Sequence, residues 1–537
     1  MKGLAVAWSH VMQWAFWGLC LYLLWTFMAA GWVSDDSFIT LRVIDNFVNG
    51  FGLRWNTDER VQVYTHPLWM WLELAVYGIT RQPFISILLP SIVCVAAALW
   101  LLLRSVPAPR RAALALVVAP LGAARMVRDY ACTGLETPLS LLLVVAFFAL
   151  MLRSPRRVVG LLLLASGALL TRLDTLILLA PALAWLAWQD RRNPGLVIRW
   201  LLGFSPLLAW HAFSLFYYGF AFPNTKYAKL NTSVPLSLYV QQGYYYLMNL
   251  WRYDKIGAAA IYLSGLFSLL YLPPRWKESW QVRLSLLAQA GIVLHMVYVV
   301  CVGGDFMSGR FFVLPFVLSV MLLYWHFTTA SWRGLTAVLL SVALLAGLDM
   351  YFYNADNAFN KSFDHGIVEE KQYYYDCNGF FNQPGHAIRE TSDCYMMGEL
   401  RDILAKRVDN TVYLRTDVGV FGYYAGPQVI IIDEYALADA LLARLPTWRI
   451  HEWRTGHFWR DIPPGYPQAR QFDDPNLIDE TLRPYYEKMR LITAGPLFSG
   501  ERLQAIFEFH AGEYDHWLKD YVRSMHREDL EELEKQP

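Results

Sequence analysis

The stretch Gly31-Trp32-Val33-Ser34-Asp35-Asp36-Ser37-Phe38-Ile39 ends a first apolar segment and opens a polar one. Two adjacent carboxylates are costly to hold beside lipid, so ionisable groups at such a place usually serve a function. The apolar residues that follow, up to Val48, recur at helical spacing, and Asn49-Gly50 is a helix stop signal. The pattern predicts an amphipathic helix that lies along the membrane face, with Asp35 and Asp36 at its N-terminus.

The composition indicates an α-helical polytopic membrane protein. Of the 537 residues, 56% are hydrophobic and only 17% are charged, whereas an ordinary soluble domain is about 25% charged. The chain has 22 Trp, 31 Tyr and 30 Phe, as expected where aromatic belts mark membrane interfaces. The net charge of +1 says nothing about nucleic acid, but the sequence shows no basic cluster of the kind that binds it, so no nucleic-acid partner is expected.

Apolar runs of spanning length predict about eleven crossings. They lie near 10–32, 84–104, 112–127, 135–152, 157–171, 174–188, 197–217, 256–272, 283–303, 311–328 and 334–353. The shorter run 67–80 decides the topology, because all basic loops fall on one side only if this run does not cross fully. We therefore expect a bacterial inner-membrane protein with a cytoplasmic N-terminus and an extracytoplasmic, periplasmic C-terminus.

This topology divides the chain into two predicted domains. Residues 1–353 form a membrane domain whose polar residues concentrate in a few outer-face loops, and residues 354–537 form a soluble extracytoplasmic α/β domain. The outer loops carrying those residues include 33–66, 128–134, 219–255 and 304–310. In the C-terminal domain we expect helices at 396–408, 435–445 and 513–535 and strands at 411–415 and 428–433. Outside the cytoplasm, Cys377 and Cys394 would form a disulfide.

An ordered series of motifs runs through these loops. It consists of Ser34-Asp35-Asp36-Ser37-Phe38-Ile39, Asn46-Phe47-Val48-Asn49-Gly50-Phe51-Gly52-Leu53, Asn56-Thr57-Asp58-Glu59-Arg60-Val61, Tyr64-Thr65-His66-Pro67-Leu68-Trp69, Thr133-Gly134-Leu135-Glu136-Thr137-Pro138-Leu139, Thr171-Arg172-Leu173-Asp174, Tyr218-Gly219-Phe220-Ala221-Phe222-Pro223-Asn224-Thr225-Lys226-Tyr227-Ala228-Lys229, Gly303-Gly304-Asp305-Phe306-Met307-Ser308-Gly309-Arg310 and Asp417-Val418-Gly419-Val420-Phe421-Gly422-Tyr423-Tyr424. The series resembles the GT-C glycosyltransferases, which use polyprenyl-phosphate sugars as donors. Within them it is similar to the family of the terminal arabinofuranosyltransferases of mycobacterial cell-wall arabinan and the type IV pilin arabinosyltransferase. That family usually has a small residue in place of His66.

The resemblance implies that Asp35 is the catalytic carboxylate and Asp36 its partner. A departing polyprenyl phosphate gains negative charge, which outer-face cations would stabilise. The candidates for binding the donor phosphate are Lys226, Lys229, Arg310, Arg172 and Arg128. The candidates for binding the sugar or the acceptor are Tyr64, His66, Asn224, Asp305 and Glu136.

Simpler roles remain open for several of these residues. The lysines and arginines would also suit snorkelling toward lipid phosphates, and Asp305 would suit a turn whose glycines adopt unusual backbone angles. Glu136 would serve merely to start a helix, and Arg172 would pair with Asp174 as a structural element. No histidine spacing predicts a resident metal, so no cofactor is expected, although Mg²⁺ or Mn²⁺ on the paired aspartates remains an alternative.

The leading interpretation is an enzyme that moves a sugar, with D-arabinofuranose the best match, from a polyprenyl phosphate to an extracytoplasmic glycan end or a pilin Ser/Thr. The alternatives are a transporter or flippase of a lipid-linked sugar and a non-catalytic assembly or sensor protein. A transporter would place its ionisable residues near the bilayer midplane, whereas here they cluster at one face. The sequence leaves open the acceptor and whether the anomeric configuration is inverted or retained.

Overall fold

The computed structural model describes residues 2–230, 232, 234–356, 365–381, 411–447 and 453–534, and the statements below refer to these residues. Before residue 360 the α-helices are α1 (Lys2–Ala29), α2 (Asp35–Val48), α3 (Pro67–Thr80), α4 (Pro83–Arg104), α5 (Arg110–Ala113), α6 (Ala119–Ala123), α7 (Arg125–Tyr130), α8 (Thr137–Arg153), α9 (Val158–Thr171), α10 (Thr175–Asp190), α11 (Leu196–Tyr218), α12 (Asn224–Leu230), α13 (Leu236–Tyr253), α14 (Lys255–Leu270), α15 (Trp280–Cys301), α16 (Val313–Phe327) and α17 (Trp332–Asp356). After it come α18 (Glu370–Asn378), β1 (Val412–Arg415), α19 (Gly419–Ala425), β2 (Ile430–Asp433), α20 (Tyr466–Phe472), α21 (Arg483–Ala494), α22 (Gly500–His510) and α23 (Asp515–Glu534).

Five helical segments of the described chain are long and apolar enough to cross a membrane. They are Pro83–Arg104, Leu196–Tyr218, Trp280–Cys301, Arg310–Phe327 and Trp332–Met350. The helices α8, α9, α10 and α14 are also apolar but shorter. The prediction of a helical membrane protein is confirmed, while the count of about eleven crossings and the sidedness of the termini stay predictions.

The chain divides into two compact units. Unit 1 consists of Met1–Ser34, His66–Leu207 and Pro235–Arg389, and unit 2 consists of Asp35–Thr65, Leu208–Val234 and Glu390–Pro537. Unit 2 thus includes two segments from the region 1–353. The predicted boundary at 353/354 was drawn along the linear chain and stays a prediction.

Most predicted apolar runs coincide with helices, but the run 112–127 is broken. Ala119 donates its backbone N–H to the Leu114 carbonyl five residues back, which is a π-helical bond, and Leu114–Val118 forms a π-helical turn. Pro120 follows directly and has no N–H for a helical bond. Ala124 then adopts an extended conformation before α7 begins. Residues 110–123 thus form one continuous helix that contains a π-helical turn, and the helix α7 follows the break at Ala124.

In unit 2, β1 and β2 form a parallel pair joined by a crossover through α19. The register pairs Val412 with Ile430 and Arg415 with Asp433. Every residue of β2 is buried, as its continuous apolar run predicts. The strand predictions at 411–415 and 428–433 and the helix near 513–535 are confirmed, whereas the predicted helix 396–408 lies outside the described residues.

The predicted helix 435–445 is wrong. The Asp433 carboxylate accepts hydrogen bonds from the backbone N–H groups of Tyr435 and Ala438, at 2.9 Å each. These bonds fix a turn in which Ala436 has a φ of 60°, a conformation that an α-helix does not allow. Only Leu442–Arg444 is helical here, as a 3-10 turn.

Helix α2 differs from the expected surface helix because most of its residues are buried, polar ones included. Arg42 lies at its centre and is 2% exposed. Its guanidinium donates to the carbonyls of Trp55 at 2.7 Å, Gly422 at 2.6 Å and Val429 at 2.8 Å. This side chain joins α2 to α19 and to the residue before β2 inside unit 2, and most of α2 is shielded from water.

Candidate functional site

Unit 1 contains a buried cluster of charged side chains centred on Glu136. This residue precedes α8, Arg172 follows α9, and Arg310 opens the 3-10 turn before α16. Oε1 of Glu136 accepts hydrogen bonds from Arg172 Nη1 at 2.8 Å and from Arg310 Nη2 at 3.1 Å. Oε2 lies 3.4 Å from Nδ1 of His66. Four residues from the predicted site set are thus brought together.

Two further carboxylates complete this cluster. Asp174 accepts from Arg172 Nε at 2.9 Å and Nη2 at 2.5 Å in a bidentate pair. Asp305 lies 3.6 Å from Arg310 Nη1. The predicted pairing of Arg172 with Asp174 is confirmed. Because three carboxylates surround two guanidinium groups, the cations of this cluster are already neutralised within the protein.

The ion pairs fix the protonation of the two groups beside them. Burial alone would raise the pKa of Glu136, but Arg310 and Arg172 outweigh it and hold that pKa well below its usual range. Burial lowers the pKa of His66 to about 4, opposed by Glu136 and reinforced by the two arginines. At neutral pH Glu136 is therefore ionised, and the His66 imidazole is neutral despite its nearby carboxylate.

Asp305 lies in a turn that only glycine permits. Gly304 has a φ of 70° and Gly309 a φ of 79°, and a Cβ on Gly304 would come within 2.3 Å of the Tyr246 ring. Oδ1 of Asp305 accepts from the N–H of Phe306 at 2.9 Å. The turn geometry that the glycines predict is present. The predicted phosphate ligand Arg128 is half-buried on α7. Burial raises the pKa of Asp254 to about 6, and the positive charge of Arg128 is one of the weaker effects that oppose this rise.

Asp35 begins α2 in unit 2 and is held by backbone amides. Its Oδ2 accepts from the N–H of Gly419 at 2.9 Å and its Oδ1 from the N–H of Val420 at 2.7 Å. Residue 419 must be glycine for this approach, because a Cβ there would lie 1.8 Å from the Asp35 carbonyl oxygen. The motif around Gly419 thus receives a physical explanation.

The environment of Asp35 favours its protonated form. The side chain is 9% exposed. Burial raises the pKa of Asp35 to about 7, the Val420 amide opposes that rise, and Asp417 adds to it. Asp36, the next residue, is only half-buried. The pair therefore combines a buried carboxyl that titrates near neutral pH with a neighbour that solvent reaches.

Lys226 and Lys229 lie on the short helix α12, and both are exposed. They are three residues apart, so they share one side of the helix. The Lys226 ammonium lies 3.5 Å from the centre of the Phe222 ring, a cation–π contact that holds the side chain beside its own turn. In unit 2 these two lysines are solvent-exposed cations, whereas the arginines of the unit 1 cluster are largely buried.

Asn224 and Tyr64, two predicted sugar ligands, are engaged in internal contacts of unit 2. Asn224 donates to the carbonyls of Ala436 and Asp439 and accepts from Arg444 Nη1 at 2.6 Å. Asn224 and Arg444 line a cavity with about 10 Å³ of space for water, room for about one molecule. Tyr64 shares a hydrogen bond of 2.9 Å with the hydroxyl of Tyr218. In this conformation the cavity is too small for a sugar.

Two predictions fall partly outside the described chain. Cys377, on α18, is disulfide-bonded, while its predicted partner Cys394 is outside the described residues. Within the described part of the chain, no group of three or more His, Cys, Asp or Glu side chains is arranged to hold a metal ion.

Comparison with known proteins points to one kind of enzyme. A protein of Mycobacterium tuberculosis named terminal beta-(1->2)-arabinofuranosyltransferase is 24% identical over 520 residues, covering 79% of this chain and 80% of its own length. One of the same name from Corynebacterium glutamicum is 26% identical over 415 residues, covering 66% of this chain and 57% of its own length. This chain resembles the terminal arabinofuranosyltransferases. No protein-family profile matches it.

The resemblance to terminal arabinofuranosyltransferases confirms the similarity that the motif series indicated. Unit 2 also contains an ion-pair network that sequence reasoning missed. Arg470 lies 2.9 Å from Asp58, 2.8 Å from Glu59 and 3.4 Å from Asp439, all within unit 2. Asp58 and Glu59 belong to a quoted motif, but no spacing in the sequence points from them to Arg470. That motif has a structural partner far along the chain.

Proposed function

We propose that this chain is a membrane glycosyltransferase that transfers D-arabinofuranose from a polyprenyl phosphate to a glycan end or pilin hydroxyl outside the cytoplasm. The observation that carries the proposal is the similarity to two proteins named terminal beta-(1->2)-arabinofuranosyltransferase, of which one aligns with 79% of the chain. The Asp35-Asp36 pair lies within the motif series that first suggested this similarity. The names of these two proteins favour a glycan end as the acceptor. In the product, the transferred arabinofuranose would be joined to that end through a β-(1→2) linkage.

The reaction needs a base for the acceptor and a cation for the leaving group. The acceptor oxygen bonds to the anomeric carbon, and the bond from that carbon to the donor phosphate oxygen breaks. A carboxylate takes the acceptor's hydroxyl proton, and the polyprenyl phosphate leaves with the bonding electrons. With one carboxylate as base the anomeric carbon inverts, whereas a nucleophilic carboxylate would give retention.

We assign the base to Asp35. A general base works best when its pKa lies near the operating pH, and the pKa of Asp35 is about 7. The amides of Gly419 and Val420 fix the orientation of its carboxylate, and each oxygen keeps a second lone pair for a substrate proton. Asp36, which is half-buried, would stabilise positive charge that develops on the sugar.

For the donor phosphate we favour Lys226 and Lys229 over the predicted arginines. Both lysines are exposed on α12, and a Lys ammonium binds phosphate as a point charge. The side chains of Arg172 and Arg310 are only 15% and 13% exposed and share the Glu136 carboxylate, so a phosphate outside the protein reaches them less easily than the exposed lysines. The role of these two arginines is then to keep the cluster of unit 1 in place. Arg128 is a secondary candidate.

A transporter of lipid-linked sugars is not favoured, because both similar proteins are named as transferases. The inner-membrane location, the cytoplasmic N-terminus and the extracytoplasmic C-terminal region remain part of the proposal. They place the aspartate pair on the face where a lipid-linked donor would meet a cell-envelope acceptor.

The experiment uses the full chain in lipid nanodiscs with a synthetic polyprenyl-phosphate arabinofuranose. An arabinan oligosaccharide and a Ser/Thr pilin peptide serve as separate acceptors, and mass spectrometry detects one added pentose. Asp35→Asn should reduce the rate about 100-fold or more, the usual contribution of a general base. Asp45→Asn, on the same helix α2, is the matched control and should remain active. No transfer by the unmodified chain to either acceptor would refute the proposal.

A further inference from the structure

An exposed apolar surface covers one side of α22 and the turn before it. Phe498 is 85% exposed, Phe507 is 73% exposed and Leu503 is 44% exposed. Leu503 and Phe507 are four residues apart, so they lie on the same side of the helix. Glu501 and Gln504 are exposed beside them. We call Phe498, Leu503 and Phe507 the apolar face of α22.

Helix α22 is fixed to the end of α11 and to Gly219 inside unit 2. Arg502 Nη2 donates to the carbonyl of Tyr217 at 3.0 Å, and His510 Nε2 lies 3.0 Å from the carbonyl of Gly219. The ring of Phe498 lies 5.4 Å from that of Phe216, between centroids. These contacts hold α22 and its preceding turn beside the last turn of α11.

Helix α11 indicates where the membrane surface lies at this point. It is one of the five helical segments that are long and apolar enough to span a membrane. Only 6% of its most apolar stretch is buried inside the protein, so we infer that its sides face lipid. The helix ends in the aromatic residues Phe216, Tyr217 and Tyr218, which are typical of a membrane interface. Because Phe498 contacts Phe216, it lies at the depth of this aromatic end.

We propose that α22 lies on the bilayer surface with its apolar face inserted between the lipid headgroups. Phe498 is 85% exposed and Phe507 is 73% exposed, and large exposed apolar side chains mark interaction surfaces. Phe498 also contacts the aromatic end of a helix long and apolar enough to span a membrane. Glu501 and Gln504 remain at the water-facing edge, as in other interfacial amphipathic helices. The partner is the bilayer, rather than a second copy of the chain or a glycan. The helix anchors the C-terminal part of unit 2 to the membrane.

The test is photo-crosslinking of the full chain in nanodiscs of phosphatidylcholine and phosphatidylglycerol. Benzoylphenylalanine replaces Phe507 in one variant and Phe498 in another, and Phe472 on α20, which is 66% exposed, is the matched control. Mass spectrometry should find at least about tenfold more lipid adduct at 498 and 507 than at 472.

Three outcomes would overturn the proposal. The first is as much lipid adduct at position 472 as at positions 498 and 507. The second is crosslinking of positions 498 and 507 to a second copy of the chain, and the third is crosslinking at these positions only to an added glycan. Replacing Phe498 disturbs its contact with Phe216, so the variant at 507 provides an independent reading. Phe507 is the more exposed residue of the helix itself, and a probe there preserves the contacts of α22 with α11.

Discussion

Glu136 in unit 1 and Asp35 in unit 2 are both buried carboxyl groups, yet their environments act in opposite directions. Glu136 accepts hydrogen bonds from two guanidinium groups, and its pKa lies well below the usual range. Asp35 accepts from two uncharged backbone amides, and its pKa is raised to about 7. Burial is common to both, so the nature of the donors makes the difference.

This contrast separates a structural carboxylate from one that is ready to exchange a proton. Desolvation raises the pKa of a carboxyl group unless a cation compensates it. Neutral amides orient a carboxylate while leaving it basic, whereas arginines hold it ionised and withdraw it from proton transfer. Two motifs of one series can thus differ in chemistry although both contain an acid.

Removing the central acid of unit 1 should have the largest effect on stability. In Glu136→Gln, Arg172 and Arg310 lose the carboxylate that they share, and breaking such a buried pair costs about 3–5 kcal/mol. Thermal unfolding in detergent should show a clearly lowered midpoint. Glu278→Gln removes an exposed acid and should leave the midpoint unchanged. Equal midpoints for the two variants would mean that the cluster contributes no stability.

The two acids should also give opposite pH dependences of stability. Folded Asp35 keeps a proton that the unfolded chain loses above about pH 4, so the unfolding free energy falls as the pH rises from about 4 to about 7. The rise in pKa from 3.8 to about 7 corresponds to at most about 4 kcal/mol. Asp35→Asn should flatten this decline.

Glu136 behaves in the reverse way. Because its folded pKa is lowered, its contribution to the free energy of unfolding is present above the unfolded pKa of about 4.5 and is lost as the pH falls below that value.

The prediction for Asp35 is checked by the unfolding midpoints of wild type and Asp35→Asn, measured from pH 4 to 8. A difference between the two proteins that stays constant over this range would show that Asp35 has no raised pKa.

Arg42 extends the comparison to cations. Arg172 is paired with acids, whereas Arg42 donates to the carbonyls of Trp55, Gly422 and Val429. A lysine cannot reach three carbonyls in different directions, so Arg42→Lys leaves buried acceptors without donors and should cost about 2 kcal/mol. Arg523→Lys at an exposed position is the control. A midpoint equal to that of this control would show that the carbonyl contacts contribute nothing.

The smallest expected loss of stability comes from removing the hydroxyl of Tyr64, which forms a hydrogen bond between two uncharged groups. Its hydroxyl shares a 2.9 Å hydrogen bond with that of Tyr218, so Tyr64→Phe should cost about 1 kcal/mol. Tyr244→Phe, at an exposed position, should change nothing. A loss as large as that of Glu136→Gln would mean that charge does not distinguish these buried contacts.

The sequence predicts the helices well because long apolar runs carry their own signal. Runs such as 84–104 and 135–152 match α4 and α8 within a few residues. The run 112–127 looks equally apolar, but it contains a π-helical turn at Leu114–Val118, and its helix ends before the extended Ala124. Hydropathy measures transfer to lipid and does not register where a backbone hydrogen bond is lost.

Local side-chain bonds explain the failure at 435–445. The apolar residues there have helical spacing, yet the preceding Asp433 captures two amides and starts a turn instead. The same limit applies to the candidate site. The motifs name Asp35 and Glu136, but the partners that set their chemistry, Gly419 and Arg310, lie far along the chain. Sequence spacing does not show which donor will face which acid.

The pH dependence of kcat tests the central claim most directly. With saturating donor and acceptor, the wild-type rate should rise about tenfold per pH unit below pH 7 and level off above it. Asp36→Asn should keep this acid limb at a reduced rate, and Asp35→Asn should abolish it. An acid limb near pH 4 in the wild type, or a limb near pH 7 that persists in Asp35→Asn, would contradict the assignment of Asp35 as the base.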